Sequence, residues 1–348
     1  MNDLSMSLQQ QVMQAIGNKT PLCITAGGSK AFLGQETEGM AIDVNAHRGI
    51  IEYDPRELVL TARSGTPLED IENALAASGQ MLAFEPPHFG STATLGGTIA
   101  CGLSGPRRPY SGSARDFVLG CKMLNGRGEI ANFGGQVMKN VAGYDVSRLL
   151  AGSRGTLGIL LEISLKVLPK PAASVTISRE CGQTDAITAM SELLSRPYPV
   201  DAACYDGERV HLRISGSEQA VSETRKKIPG ETLPDADAFW QGLREHELPF
   251  FHRPGTLYRI AVKPSTRPLH LNGQWILDWG GAQRWLYSDE DLQTIRHQVG
   301  LSGGHVAVFR GGKNETPLPA PLLALHQRLK TSFDPGNIFN RGHLYTTL

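Results

Sequence analysis

Three stretches of this 348-residue chain combine apolar residues with closely spaced glycines. They are residues 21–34 (PLCITAGGSKAFLG), residues 85–112 (EPPHFGSTATLGGTIACGLSGPRRPYSG) and residues 152–159 (GSRGTLGI). Glycine lets the backbone turn sharply and approach other atoms, but it weakens a helix or strand that contains it. The second stretch is too rich in glycine for a packed helix and too apolar for a disordered linker. The three stretches therefore predict places where the backbone comes close to something else.

The first stretch has the composition of a phosphate-binding turn. Gly27 and Gly28 follow a short apolar run, so successive backbone N–H groups can converge on one anion, and Ser29 and Lys30 would add a hydroxyl and a cation. The P-loop pattern G-x-x-x-x-G-K-[ST] is missing, which argues against a kinase-like or GTPase-like site. The alternative is a glycine turn followed by a solvated lysine, and this stretch alone does not decide between the two.

Charge balance and cysteine content exclude several classes of protein. Lysine plus arginine and aspartate plus glutamate both total 34, so the formal net charge is zero and we expect no nucleic-acid partner. The five cysteines are Cys23, Cys101, Cys121, Cys181 and Cys204. Because they are scattered and form no C-x-x-C pair, we expect no metal site and no iron–sulfur cluster in this chain. We predict a cytoplasmic protein, and attachment to the inner face of the cell membrane through a partner stays open.

The order of predicted helices and strands indicates an α+β protein. Residues 1–20 predict an amphipathic helix and not a secretory signal, and no apolar run is long enough to span a bilayer. Strands flank the turn at residues 53–55, a helix occupies residues 67–79, and strands on both sides of Asn125-Gly126 predict a hairpin. Residues 126–131 (GRGEIA) imitate the dinucleotide pattern G-x-G-x-x-A, but a strand-like run follows where a helix would have to begin. We interpret that match as false.

Two prolines and a change in composition divide the chain. Pro169 and Pro171 mark a boundary, so we predict one domain over residues 1–171 and an α+β domain over residues 172–311. Residues 312–348 predict one helix and a tail that must dock to be ordered.

The glycine-rich stretches occur in an order that resembles a known family. Residues 94–105 (TLGGTIACGLSG), 110–120 (YSGSARDFVLG) and 152–159 together resemble the FAD-binding domain of the vanillyl-alcohol oxidase superfamily. The resemblance implies a PCMH-type FAD-binding domain of two α+β subdomains, a small α+β cap domain over the flavin, and a tail that returns to the FAD domain.

Four further segments sharpen the resemblance, and it then covers essentially the whole chain. The FAD-binding E subunits of bacterial glycolate oxidases have segments similar to EPPHFG, GLSGPRRPYSGSARDFVLG, GGQVMKNVAGYD and DWGGAQRW of this chain. That family implies an FAD-dependent oxidoreductase acting on the CH–OH group of a 2-hydroxy acid, in a multi-subunit complex that oxidises glycolate to glyoxylate. The implied partners are a homologous FAD-containing catalytic subunit and an Fe–S subunit.

The resemblance also implies which residues contact FAD. They are Ala26, Gly27, Gly28, Ser29 and Lys30 at the pyrophosphate; Thr94, Gly96, Gly97, Ala100, Cys101, Gly102 and Gly105 along the ribityl chain and ring; and Gly155, Gly158 and Ile159 near the adenine end. Ala26 replaces the usual glycine and does not easily adopt a positive φ. We expect the amides around Gly27 and Gly28 to hold the diphosphate together with those flanking Gly96 and Gly97.

Two family features are missing from the chain. Some members of the superfamily attach FAD through a histidine in the pyrophosphate loop, but residues 23–34 contain none, so we predict non-covalent FAD. The related D-2-hydroxyacid dehydrogenases carry an H-A-G-D-G-N-x-H run in the cap, and the nearest segment here is GGHVAVFRGG around His305. Substrate oxidation on this chain's own flavin is therefore in doubt, and the catalytic residues stay unknown.

Several other residues permit more than one interpretation. His88 could accept a proton beside the flavin or be structural. Arg107 and Arg108 could clamp a carboxylate, or be solvated or pair with a partner, and Arg284 could be a core cation stacked on an indole. Residues 334–342 (DPGNIFNRG) resemble the family's closing D-P-x-x-I-F-N-P-G next to the flavin ring, with arginine in place of proline. Two alternative functions stay open, namely a self-sufficient 2-hydroxyacid dehydrogenase and a flavin-free structural subunit.

Overall fold

The computed structural model describes residues 3–135, 145–312 and 318–347 of the chain. The segment GGQVMKNVAGYD, residues 134–145, lies mostly outside the described residues. The chain forms two compact units. The first comprises Met1–Ser104, Ser113–Pro169 and Glu315–Leu348, and the second comprises Gly105–Gly112 and Lys170–Asn314.

The helices and strands are distributed along the whole described chain. The α-helices are α1 (Ser5–Asn18), α2 (Leu68–Ala77), α3 (Leu95–Cys101), α4 (Arg108–Ser111), α5 (Ala114–Phe117), α6 (Val146–Leu150), α7 (Gln183–Leu194), α8 (Glu218–Arg225), α9 (Ala236–Glu245), α10 (Leu292–Leu301) and α11 (Ala320–Phe333). The strands are β1 (Leu22–Thr25), β2 (Met40–Asp43), β3 (Ile50–Asp54), β4 (Val59–Arg63), β5 (Gln80–Met81), β6 (Val118–Leu124), β7 (Ile130–Gly134), β8 (Ile159–Lys166), β9 (Leu168–Pro169), β10 (Ala173–Glu180), β11 (Val200–Tyr205), β12 (Arg209–Gly216), β13 (Glu231–Thr232), β14 (Leu257–Ala261), β15 (Gln274–Asp278), β16 (Gln283–Tyr287) and β17 (His305–Arg310). Within the described ranges, no helix combines the length and apolar character that crossing a membrane requires.

The first unit is built around a five-stranded antiparallel sheet in the order β3-β4-β8-β6-β7. Its central strand β8 is an apolar run that is buried along most of its length. The predicted hairpin at Asn125-Gly126 is confirmed as β6–β7, although its loop closes through Asn125 N–H and the Glu129 carbonyl at 3.0 Å. The strand β7 that follows confirms that GRGEIA is not a dinucleotide motif.

A second hydrophobic cluster of the first unit lies around the short parallel pair β1–β2. Helix α1 joins this cluster because Leu8, Val12 and Ala15 recur at helical spacing and are all buried. The tail contributes Ile338 and Phe339 to the same cluster. The predicted N-terminal helix is therefore confirmed, and the tail packs against β1, the strand at the start of the first glycine-rich stretch.

The prediction that the second glycine-rich stretch contains no packed helix is wrong. Residues 95–101 form α3, whose first turn is capped by the Thr94 side chain and whose end is followed by Gly102 at φ 65°. A Cβ atom on Gly96 would lie 2.6 Å from the Ser64 Cβ. Glycine weakens the helix locally, but it allows the helix backbone to lie directly against the end of β4, and this tertiary contact outweighs the low helix propensity.

A buried ion pair fixes the tail. Lys330 of α11 lies 2.8 Å from the Asp334 carboxylate, and its ammonium also donates to the carbonyls of Thr156 and Phe339. The Asp334 carboxylate accepts from the N–H groups of Ile338 and Phe339. Burial lowers the pKa of Lys330 below its ordinary value, although the carboxylate opposes that shift.

The second unit contains an eight-stranded antiparallel sheet in the order β13-β10-β12-β11-β15-β16-β14-β17. Helices α7 and α10 and strands β12 and β17 lie in the region for which the sequence predicts both helices and strands. Residues 105–112 also belong to this unit. The Trp279 indole N–H, in the turn after β15, donates to the Gly105 carbonyl at 3.0 Å, and Arg107 lies 2.5 Å from Asp201 of β11, so both contacts hold this short segment.

We expect Asp334→Ala to destabilise the first unit by about 3–5 kcal/mol, because it leaves the Lys330 ammonium buried without its carboxylate. Thermal denaturation followed by circular dichroism measures this as a lower midpoint. Arg56→Ala is the control, since the Arg56–Asp54 pair spans 3.8 Å and the arginine side chain is 92% exposed. That variant should melt like the wild type. Equal midpoints for Asp334→Ala and the wild type would contradict the role given to the pair.

Candidate functional site

The turn after β1, residues 26–30, is called here the glycine turn. Gly28 is exposed and has φ 71°, a conformation that favours glycine. A Cβ atom on Gly27 would lie 1.5 Å from the Thr92 carbonyl oxygen, so the second glycine-rich stretch touches the turn directly. Among the described residues, no acceptor is hydrogen-bonded to the backbone N–H groups of Ala26, Gly27, Gly28 or Ser29. The turn is therefore able to offer several N–H donors to an anion.

Side chains tie the glycine turn to residues 88–92. The Thr92 hydroxyl donates to the Gly27 carbonyl at 2.5 Å, and the Lys30 ammonium donates to the His88 carbonyl at 3.1 Å. Lys30 also lies 3.4 Å from the Ser29 hydroxyl, and its side chain is buried. The alternative of a solvated lysine does not hold, because Lys30 is buried and its ammonium donates to the His88 carbonyl.

The third glycine-rich stretch joins the same region through α3 and the tail. Gly152 N–H donates to the Ile99 carbonyl at 3.0 Å and Arg154 N–H donates to the Ala100 carbonyl at 2.9 Å. Gly155 has φ 72°, and a Cβ atom there would lie 2.7 Å from the Asn340 Nδ2. The first and third stretches and residues 85–104 of the second are thus brought together within the first unit.

Asn340 is the residue that joins β1 to the third stretch. Its Oδ1 accepts from the Ile24 N–H and its Nδ2 donates to the Arg154 carbonyl, both at 2.8 Å. Its own N–H donates to the Leu22 carbonyl at 2.9 Å. The sequence placed this residue near the site by resemblance, but nothing in the pattern indicated that its amide would bridge two stretches.

The amides flanking Gly96 and Gly97, which we expect to help hold the diphosphate, have partners inside the protein, and their role toward FAD stays a prediction. At the start of α3, Leu95 N–H donates to the Thr66 carbonyl at 2.9 Å, and Gly96 N–H donates to the Ser64 carbonyl at 2.7 Å. Gly97 N–H donates to the Thr94 hydroxyl at 3.2 Å. The amides flanking Gly96 and Gly97 therefore have acceptors inside the protein, whereas no such acceptor is found for the N–H groups of residues 26–29 among the described residues.

Two cations and a thiol lie close to these contacts. Burial raises the pKa of Cys101 above its ordinary value, and the nearby charges of Lys30 and Arg154 oppose that shift. Arg154 also donates to the Leu33 carbonyl, and burial lowers the pKa of its guanidinium. Positive charge beside N–H donors suits an anionic group.

The other residues predicted to contact FAD lie in the second unit or have a structural role of their own. Gly105 belongs to the second unit. A Cβ atom on Gly158 would lie 2.6 Å from the Leu124 carbonyl oxygen, and Ile159 is buried at the start of β8, so both are explained by sheet packing. Thr94 caps α3, and Gly102 lies next to Gly152. Their proposed roles toward FAD stay predictions.

The ambiguous side chains have identifiable neighbours. The His88 Nε2 lies 3.1 Å from the Glu72 carboxylate. Arg107 pairs with Asp201, which also accepts from Arg213 at 2.6 Å. Arg284 is fully buried and donates to backbone carbonyls, and burial lowers its pKa to about 10. The indole of Trp279 instead contacts the guanidinium of Arg108, 4.2 Å from the ring centre, and that of Arg259, at 5.2 Å.

Comparisons with known proteins agree with a flavin site. A family model described as an FAD binding domain matches residues 7–134. The solved structure of alkyldihydroxyacetonephosphate synthase shares the fold, with a TM-score of 0.70 at 15% identity over 96% of this chain and 74% of that one. The predicted α+β, PCMH-type fold is confirmed, and the chain is an FAD-binding protein of an FAD-dependent oxidoreductase family.

Sequence relatives define the family more narrowly. The chain is 50% identical to glycolate oxidase subunit GlcE of Escherichia coli (strain K12) over 347 residues, which is 99% of both chains. It is 37% identical to glycolate oxidase subunit GlcD of Bacillus subtilis (strain 168), over 40% of this chain and 30% of that protein. A D-lactate dehydrogenase of Anaerostipes hadrus is 34% identical over 40% of this chain and 29% of its own length. The chain belongs to the glycolate oxidase GlcE-subunit family.

We expect Asn340→Ala to lower the free energy of unfolding by at least about 2 kcal/mol, because it leaves the Ile24 N–H and the Arg154 carbonyl without their partner. Asn340→Asp should also destabilise, since a carboxylate oxygen would then face the Arg154 carbonyl. Chemical denaturation measures both. Asn132→Ala is the control, because Asn132 lies in β7 and its side chain is exposed. If Asn340→Asp were as stable as the wild type, the Asn340 amide would not join the Ile24 N–H to the Arg154 carbonyl.

Proposed function

We propose that this chain is the FAD-binding subunit of a glycolate oxidase assembly, which oxidises glycolate to glyoxylate. The relatives named as glycolate oxidase subunits support the substrate class and the assembly. The single observation that carries the cofactor site is the glycine turn, whose N–H groups at residues 26–29 have no acceptor in the described part of the chain. Those donors and the buried Lys30 ammonium match the charge of a diphosphate.

FAD fits the residues of the site in chemical terms. The N–H groups of the glycine turn, the Ser29 hydroxyl and the Lys30 ammonium would hold the diphosphate, with the Arg154 guanidinium adding positive charge nearby. When bound, FAD supplies hydride acceptance from a substrate. The chain's own residues keep the site in shape, because Thr92 fixes the turn and Asn340 fixes the strand before it. We propose non-covalent binding, since residues 23–34 contain no histidine.

We further propose that substrate oxidation belongs to a homologous catalytic subunit and that electrons leave through an Fe–S partner. The chain has no H-A-G-D-G-N-x-H run, and its five cysteines are far apart in sequence and unpaired. Iron–sulfur clusters are held by grouped cysteines, so a second protein must supply them. The cytoplasmic location stays a prediction, as does attachment to a membrane through partners.

The proposal predicts that the purified chain is yellow and loses its flavin to the supernatant when it is precipitated with acid. Gly27→Ala should lower FAD occupancy at least about tenfold, because the added methyl group would lie within 1.5 Å of the Thr92 carbonyl oxygen. Gly17→Ala is the matched control, since that glycine lies in α1 with nothing within 4 Å of the added Cβ. It should keep full occupancy. A colourless wild-type protein would support the flavin-free structural subunit, and flavin retained in the acid pellet would refute non-covalent binding.

The assembly is tested by purification and by dye reduction. From cells that produce the chain at its natural level, we expect a homologous flavoprotein and a cysteine-rich Fe–S protein to co-purify. The isolated, flavin-loaded chain should not reduce a dye when glycolate or D-lactate is added, whereas the assembly should do so with glycolate. Rapid dye reduction by a lone monomer would favour the self-sufficient 2-hydroxyacid dehydrogenase and overturn the division of labour between subunits.

A further inference from the structure

An aromatic pair lies beside the glycine turn in the first unit. The ring centroids of Phe32 and Phe89 are 5.5 Å apart with an interplanar angle of 67°, an edge-to-face contact. Phe32 lies in the 3₁₀ turn Ala31–Leu33 that directly follows Lys30. Phe89 directly follows His88, whose carbonyl accepts from the Lys30 ammonium. The two rings therefore belong to the two segments that Lys30 joins.

The backbone around Phe32 is fixed although its side chain is 39% exposed. Ala31 N–H donates to the Gly28 carbonyl at 3.0 Å, and the Leu33 carbonyl accepts from Arg154. The Gln35 carbonyl lies 2.7 Å from the His343 Nδ1, which must donate because a carbonyl only accepts. An apolar ring of this size on a constrained backbone is a prepared contact surface, since little conformational entropy is lost when a ligand covers it.

Phe89 is held in an unfavourable backbone conformation. Its φ is 52°, in the left-handed region that a residue with a bulky side chain rarely adopts. Such strain persists only where the surrounding structure enforces it, and it is concentrated at functional sites. Here it allows the Phe89 ring to meet Phe32 next to the Lys30 contact.

We propose that the Phe32–Phe89 pair contacts one of the two planar ring systems of the dinucleotide whose diphosphate the glycine turn binds. The inference rests on the proposed FAD site and adds the residues that recognise a ring. The diphosphate carries a flavin on one side and an adenine on the other, and an aromatic pair suits either planar ring. Because the flavin and the adenine would make the same kind of aromatic contact, the experiment must distinguish which of the two rings the pair binds.

The test uses the flavin-depleted protein and four probes, namely FAD, riboflavin 5′-phosphate, ADP and inorganic pyrophosphate. We expect Phe32→Ala to weaken FAD binding about threefold to tenfold, as for the loss of one aromatic contact, and to leave pyrophosphate binding unchanged. Loss confined to FAD and riboflavin phosphate assigns the flavin ring to the pair, whereas loss confined to FAD and ADP assigns the adenine. Titration calorimetry measures all four affinities without any reference to turnover.

Two further variants keep the inference falsifiable. Ile51→Ala removes a side chain of the same exposure, 39%, from β3 and should bind every probe like the wild type. Phe89→Gly removes the second ring, and glycine adopts a φ of 52° without strain. This variant should therefore show the same changes in probe affinity as Phe32→Ala, with the backbone conformation kept. Unchanged FAD affinity in both phenylalanine variants, or an equal loss for pyrophosphate, would overturn the proposal. A wild-type protein that binds none of the probes would instead refute the FAD site itself.

Discussion

The site depends on one constraint, which is that the glycine turn keeps several backbone N–H groups without an acceptor in the described part of the chain. Polar groups of the backbone are almost always paired, so a half-buried turn of this kind is stable only if water or a ligand takes the place of a protein acceptor. Two contacts prevent the turn from folding back on itself. The Thr92 hydroxyl donates a hydrogen bond to the Gly27 carbonyl. The backbone of β1 pairs with the parallel strand β2 up to the turn. The lack of an acceptor for these N–H groups among the described residues is the observation on which the proposed anion site rests.

The rest of the first unit positions that turn. Asn340 binds β1 and the third stretch at once, and the tail that carries it is fixed by the Lys330–Asp334 pair. Asp334 in turn lies against Gly126, where a Cβ atom would come within 2.3 Å of its Oδ1. A single chain of contacts thus links the hairpin β6–β7, the tail, β1 and the glycine turn. Removing any member should disturb the site from a distance, because each contact has a specific geometry.

The amides of α3 illustrate how fold and ligand compete for the same groups. A helix start is a common anion site, and the sequence TLGG places two glycines there. In the structure, the first N–H groups of α3 instead bind the backbone that follows β4 and the Thr94 side chain. Gly96 allows close packing against Ser64, and the first N–H groups of the helix have acceptors inside the protein.

Local pattern by itself determined the elements with strong periodicity or turn chemistry, such as α1, α2 and the hairpin β6–β7. It also indicated a turn at Gly27 and Gly28, because turn formation depends on neighbouring residues only, but it left open whether that turn binds phosphate. Tertiary structure alone decided that α3 is a helix, that Lys30 is buried against His88, and that Asn340 joins two stretches 316 and 186 residues away along the chain. Those outcomes depend on which distant groups meet, and neither residue propensity nor spacing contains that information.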